Sequence, residues 1–386
     1  MERYDSIIIG AGHNGLVCAA YLARGGQRVL VLEASATAGG LAAGREFHPG
    51  FQASVAQSIS HFSAKIASDL NIEPRAIGGA SNVLPTIGLS KHRVHVTVLQ
   101  GSVTGTSSED ARANKDYAQL MHRFADVLKP FWLKKMPRIG STSVADLLTF
   151  AHVGLNIRRI GKKDMQEFLR VASLPARDLM DEYFDSDILK AMLSWDGLVG
   201  AKLAPRSPNS AVLAILYRMA EESRGAPTIP VGGVTGLMET LCLSAEASGA
   251  EIRCASPVSR ILTDSNVEGL FVKGVQLGSG EQIHADRVVS AADPKRTFLD
   301  LVGVENLDIG FTNRIRRLRC DGYVAKLHLA LNAMPDFDGL DSCDARMIIA
   351  PKLDAIEFAF DEAKYGDCPA NPVMEVVVPS VRDASC

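Results

Sequence analysis

The chain has 386 residues, 47% of them apolar and 22% charged, the make-up of a globular protein of two ordinary domains. A net charge of −3 and a low aromatic content exclude nucleic acid as a partner, since neither a strong positive field nor a stacking platform is present. Seven scattered cysteines form no CxxC, which excludes a zinc knuckle and a dithiol reductase; reduced thiols are expected.

Met1-Glu2-Arg3-Tyr4-Asp5 has neither the basic run nor the cleavage site of a signal peptide. A cytoplasmic location is expected, with the mitochondrial matrix as the alternative for a eukaryotic source. Ser6-Ile7-Ile8-Ile9 predicts a buried parallel strand. Asn14 to Arg24 has helical spacing and is stopped by Gly25-Gly26, and Arg28 to Glu33 predicts a second buried strand. Together they make one βαβ unit.

From Ser54 to Arg224 amphipathic helices dominate, the clearest over Tyr117 to Leu133, with a strand over Arg93 to Leu99 and a further helix over Ala211 to Glu222. After Pro230-Val231-Gly232-Gly233 a helix through Val234, Leu237, Met238, Leu241 and Ala245 leads to a strand at Ala250 to Cys254. Three strands separated by polar turns follow, Val258 to Leu262, Leu270 to Leu277 and Ile283 to Ser290, which predicts an antiparallel meander. Further strands are predicted at Tyr323 to Leu331 and Val373 to Pro379. The fold class is α/β: a Rossmann-like domain of parallel sheet plus β-meander from residues 1–53 and 225–305, and a mixed α+β substrate domain from 54–224 and 306–386.

Gly10-Ala11-Gly12-His13-Asn14-Gly15 joins the first strand to the first helix, where a dinucleotide fingerprint belongs. Gly10 permits the tight turn, Gly12 lets backbone approach a pyrophosphate at the helix N-terminus, and Gly15 lets helix and strand pack closely. Glu33 ends the second strand, where a carboxylate accepts hydrogen bonds from ribose hydroxyls and repels a 2′-phosphate, which disfavours NADP. Gly39-Gly40 follows, with Gly44 and Pro49-Gly50-Phe51 beyond it. A plain NAD site needs no such pair; a longer cofactor lying across the loop does, which points to FAD.

The stretches YDSIIIGAGHNGLVCAAYLARGGQRVLVLEASATAGG, PVGGVTGLMETLCLSAEASGAEIRCASPVSRIL and ADRVVSAADPKRTFLDLVG resemble the FAD-dependent superfamily of phytoene desaturases, monoamine oxidases and Rab GDP-dissociation inhibitors. The resemblance is strongest to its phytoene-desaturase-related group and runs from Tyr4 to about Asp383. It implies that Gly10, Gly12 and Gly15 hold the FAD pyrophosphate and Glu33 the adenosine ribose. Gly39 and Gly40 would lie beside pyrophosphate and flavin, and the Val258 backbone would pair with the adenine edge. Leu41, where amine oxidases frequently have a basic residue, favours the desaturase side. The family's final glycine-rich flavin segment has no counterpart before Cys386, so a truncated chain is expected.

Lys326 matches the amine-oxidase lysine that holds a water against flavin N5, which makes it the catalytic candidate; the alternative is a lysine on the solvated face of the strand, with His328 a polar neighbour. The implied reaction is hydride removal from a hydrophobic or amphipathic substrate by the flavin, with no metal and no catalytic triad visible. A flavin amine oxidase and a non-catalytic escort like the Rab GDP-dissociation inhibitors are the alternatives, and an inactive fragment a further one. Lys129 to Lys135 and Leu155 to Lys163 mix basic with aromatic and aliphatic residues, which suits a peripheral membrane contact or, alternatively, a solvated helix face.

Overall fold

The computed structural model describes residues 3–382 apart from 61, 78–82, 136, 139, 141, 209–210, 221–222 and 268. Its larger sheet has six strands in the spatial order Glu251–Arg253, Val29–Leu32, Arg3–Ile9, Gln282–Ser290, Gly269–Leu277 and Val258–Asn266. The first four are parallel, and the last two turn back as the expected meander.

Period-two alternation sorts the core. Ile8, Val29 and Val31 pack under two helices, His13–Arg24 and Gly233–Ala247, through Leu16, Ala20, Leu237 and Leu241. Ile7, Ile9, Leu30 and Leu32 face the other way, against Val258, Ile261, Val275 and Ile283 of the meander. Burial on both faces is why these strands read as unbroken apolar runs, each fully buried side chain contributing about 1.5–3 kcal/mol.

A second, five-stranded sheet has the order Met374–Val377, Arg346–Ile349, Thr86–Gly88, Val96–Leu99 and Ser102–Thr104. Only the Arg346–Ile349 and Thr86–Gly88 pair is parallel. Helices Ser108–Leu128, Asp187–Leu198 and Ala211–Arg218 contribute Phe124, Trp195 and Leu216 to the core beside Ile348. At Gly88 a Cβ would meet Ile188 and Met192 side chains at 2.4 Å, so glycine lets the helix lie close on the sheet. The helix predicted over Tyr117 to Leu133 instead spans Ser108–Leu128: the Ser107 hydroxyl caps the Asp110 amide at 3.1 Å, and Pro130 lies just past its end.

One predicted strand does not form. Tyr323 to Leu331 is irregular and pairs with no described strand, and Val324, Leu327, Leu329 and Leu331 are exposed. Alternation gives a strand its two faces but not the neighbouring edge that must take its backbone hydrogen bonds. Side chains hold the segment instead. The His328 ring lies 5.4 Å from that of Phe47, and Lys202 sits 4.8 Å over the Tyr323 ring.

Candidate functional site

The site forms where the parallel strands end, the usual place for a ligand in such sheets. Gly10, at φ +100°, turns the chain out of the strand in a conformation L side chains avoid. At Gly15 a Cβ would lie 2.0 Å from the Gly10 carbonyl oxygen, so only glycine lets the helix start against the turn. Gly12 is different: a Cβ there meets nothing within 4 Å. The space above it belongs to no protein atom, and no side chain caps the helix that begins there. Free amides and a partial positive charge face that space, the conditions a pyrophosphate needs.

Glu33 is buried at the end of the second strand. Its Oε2 accepts from the Ala11 amide at 2.8 Å and its Oε1 from the Ser35 amide at 2.9 Å. The Ala11 carbonyl in turn accepts from the Gly39 amide at 2.8 Å. The glycine loop, the acidic strand end and the glycine pair are therefore fastened at one residue, Ala11. Gly40, at φ +60°, runs so close that its Cβ would lie 3.3 Å from the Gly12 Cα. An ionised carboxylate has about four lone-pair positions, so Glu33 retains acceptor capacity for a ribose diol after binding both amides.

Val258 joins this group through the backbone. The Ser256 amide donates to the Glu33 carbonyl at 2.8 Å, and the Ala255 amide to Ser35 at 2.7 Å. Val258 then opens the strand at the sheet's outer edge, paired with Leu277 on one side only. That leaves a backbone edge of the kind an adenine requires. Ala255 adopts φ +49°, a left-handed conformation costing an alanine about 1–2 kcal/mol. Sequence reasoning missed both Ala255 and Ala11, because alanine carries no signal for strain or for a fastening point. Nearby, burial raises the Cys254 thiol pKa and the charge of Glu33 adds to the shift.

Lys326 lies at the other end of the loop. Leu41 follows Gly40, and its carbonyl accepts from the amides of Val55 at 3.0 Å and Ala56 at 3.2 Å. The Val55 carbonyl accepts from the Lys326 ammonium. Lys326 is thus tied to the glycine-pair loop, although it is not on the strand predicted for it. Desolvation lowers its pKa, and the Glu375 carboxylate opposes that shift. Glu375 accepts from the Trp195 indole at 2.8 Å and lies 4.0 Å from Nε of Arg346. Beside the same loop, a cleft lined by Gly44, Gln52, Ser54, Gln57, Gly233 and Thr235 separates the hairpin Arg45–Ala53 from the start of the helix Gly233–Ala247. The glycine loop, Glu33, the glycine pair and the Val258 edge fit FAD in its adenosine and pyrophosphate parts. No group of metal-ligating side chains occurs among the described residues.

The chain is similar to several known proteins. A rat pyridine nucleotide-disulfide oxidoreductase domain-containing protein 2 is 29% identical over 414 aligned residues, covering 99% of this chain and 71% of the relative. The six described cysteines are all unpaired, so the disulfide in that name has no counterpart among them. A carrot chloroplastic prolycopene isomerase is 25% identical over 312 residues, covering 79% of this chain and 49% of its own. Among solved structures, a putrescine oxidase variant shares the fold at a TM-score of 0.50 and 14% identity, over 82% of this chain and 63% of that one. This chain spans less than two thirds of the length of the solved structures it matches. The profile of the family described as flavin containing amine oxidoreductase matches residues 15–297, well over half of the sequence, so the chain belongs to that family of FAD-dependent oxidoreductases.

Proposed function

We propose that this chain holds FAD for desaturase- or dehydrogenase-like oxidation of a hydrophobic or amphipathic substrate. When bound, FAD supplies the hydride acceptor. The protein's own part begins with Glu33, whose remaining lone pairs accept from the ribose hydroxyls. The Gly12 backbone and the helix amides beyond it receive the pyrophosphate. Gly39 and Gly40, fastened through Ala11, keep side chains out of the cofactor's path. Lys326, reached through Val55 and Leu41, holds a proton on an ammonium whose pKa is below the ordinary lysine range.

The observation that carries the reading is the meeting of Glu33 and Gly39 on Ala11, which unites the ribose carboxylate with the loop expected beside the flavin. The choice of an apolar substrate is supported by what surrounds Lys326. Leu41, Phe47, Val55, Leu327 and Leu329 are all exposed there, an apolar margin.

The deciding experiment is the absorbance spectrum of the purified protein, followed by anaerobic addition of apolar alkenes and alcohols and, separately, of amines. Bleaching of the flavin band by the apolar compounds alone supports the proposal. Bleaching by amines alone replaces it with amine oxidation. Protein that stays colourless after incubation with FAD refutes it.

A further inference from the structure

The helix Val144–Arg159 contains no buried residue. Its half-buried positions Asp146, Thr149, Val153, Asn156 and Ile157, with Ile160 just past its end, share one side, and Ile157 and Ile160 pack against the main core. At 100° per residue Val144, Leu148, Ala151 and Leu155 fall on the opposite side, in a stripe about 60° wide. All four are exposed, Val144 at 70% and Leu148 at 65%, and Leu147 borders them at 54%. Single exposed leucines are ordinary, but a ruled apolar stripe over three turns marks an interaction face.

Charge identifies the partner. Residues 129–163 include eight Lys or Arg and one acidic residue, in a chain whose net charge is −3. Arg158 and Arg159 flank the stripe at its C-terminal end, with Lys162 and Lys163 just beyond. Lys134, Lys135 and Arg138 gather around a surface hollow with Ser143, Asp146 and Thr149, beside the first turns of the helix on its half-buried side. The helix dipole disfavours cations at that end, so helix stability does not account for them.

We infer that this face docks on an anionic bilayer surface, with the helix in the interface plane, the Val144–Leu155 stripe among the acyl chains and the basic side chains at the headgroups. An apolar stripe flanked by cations at its C-terminal end, on stems long enough to reach the headgroups, matches an interfacial helix. No helix among the described residues is long and apolar enough to cross a membrane, so the contact is peripheral.

Flotation with phosphatidylcholine vesicles, with and without phosphatidylglycerol, tests the inference. The wild-type protein is expected to float with the anionic vesicles only, and to be released by high salt. L148E/L155E, on the solvent side, is expected to abolish flotation; L148Q/L155Q covers the case in which paired glutamates unfold the helix. R158Q/R159Q is expected to weaken partitioning about thirtyfold, at roughly fivefold per cation. No flotation of the wild type, equal flotation with neutral vesicles, or variants that float undiminished would each overturn it. So would wild-type self-association that the leucine variants abolish, because the face would then be an interface between copies.

Discussion

The Glu33 carboxylate accepts a hydrogen bond from the Ala11 amide at 2.8 Å, which makes the residue proposed for the ribose also the brace of the glycine loop. The two roles separate experimentally. Glu33→Gln keeps the shape but turns an NH2 group towards one of the two amides that the carboxylate serves. Leaving a buried amide unmet costs about 1–3 kcal/mol, so the FAD-free protein should lose that much stability in denaturant titration. FAD affinity should fall about tenfold to a hundredfold as well, from loss of charge-assisted bonds to the ribose. A variant weakened for FAD but unchanged in FAD-free stability would show that the brace contributes nothing.

The three glycines of the fingerprint should fail in different ways. Gly15→Ala places a Cβ 2.0 Å from a backbone oxygen that cannot yield without moving the strand, so it should destabilise the fold by ~3 kcal/mol or more. Gly12→Ala places its Cβ in open space and should leave the FAD-free melting temperature within error. That methyl stands where the cofactor must approach, so FAD binding should drop at least about tenfold. Equal losses of stability in the two variants would mean that the space over Gly12 is not reserved for a ligand.

Lys326 and Glu375 make a prediction about pH. Desolvation lowers the Lys326 pKa from 10.5, and Glu375 counteracts it. If the lysine takes part in flavin reduction, the rate should carry an alkaline limb below the ordinary lysine range. Glu375→Gln removes the counteracting charge and should move that limb to lower pH. Lys326→Met should remove the limb and slow the reductive step roughly a hundredfold. The stability sign is the reverse of the usual ion pair. A lysine with a lowered folded-state pKa costs stability where it is protonated, and the cost disappears as pH rises from the folded pKa towards 10.5. A limb unmoved by Glu375→Gln would assign the titration to another group.

Which parts of this were readable from sequence follows from how local their causes are. Gly10, Gly12, Gly15 and Glu33 announce themselves because a tight turn, a close approach and a ribose contact each demand one residue type at one spacing. The buried strands were equally legible, since burial on both faces removes polar residues. Tyr323 to Leu331 misled because its alternation is real but a pairing edge is a long-range property. Ala255 was invisible for a different reason: its φ of +49° is imposed by the bonds that join residues 255 and 256 to Ser35 and Glu33. Ala255→Gly should therefore stabilise the protein by about 0.5–1 kcal/mol, the relief of strain exceeding the extra freedom of glycine when unfolded. A loss of stability would mean that the alanine methyl makes a contact worth more than the strain.

The five-stranded sheet hides a charged pair whose cost reveals its purpose. Arg346 is only 5% exposed and grips both oxygens of Asp196 at 2.9 Å, while Arg218 reaches the same carboxylate at 3.2 Å. Burial alone would raise the Asp196 pKa, but the two guanidinium groups outweigh it and hold the pKa below 3.8. The pair's contribution is therefore complete above pH 3.8 and is lost as pH falls through the lower folded-state value. Asp196→Asn leaves Arg346 charged in a dry site and should cost ~3–5 kcal/mol at neutral pH. The same variant should flatten the loss of stability that the wild type shows below about pH 4. Replacing both partners, as Asp196→Leu with Arg346→Met, should recover most of the stability, because desolvation nearly cancels the attraction in such pairs. The pair would then be retained for placement: Arg346 lies 4.0 Å from Glu375, the carboxylate that acts on Lys326. The double variant should accordingly fold well yet shift the alkaline limb of flavin reduction, and an unshifted limb would confine the pair to a structural role.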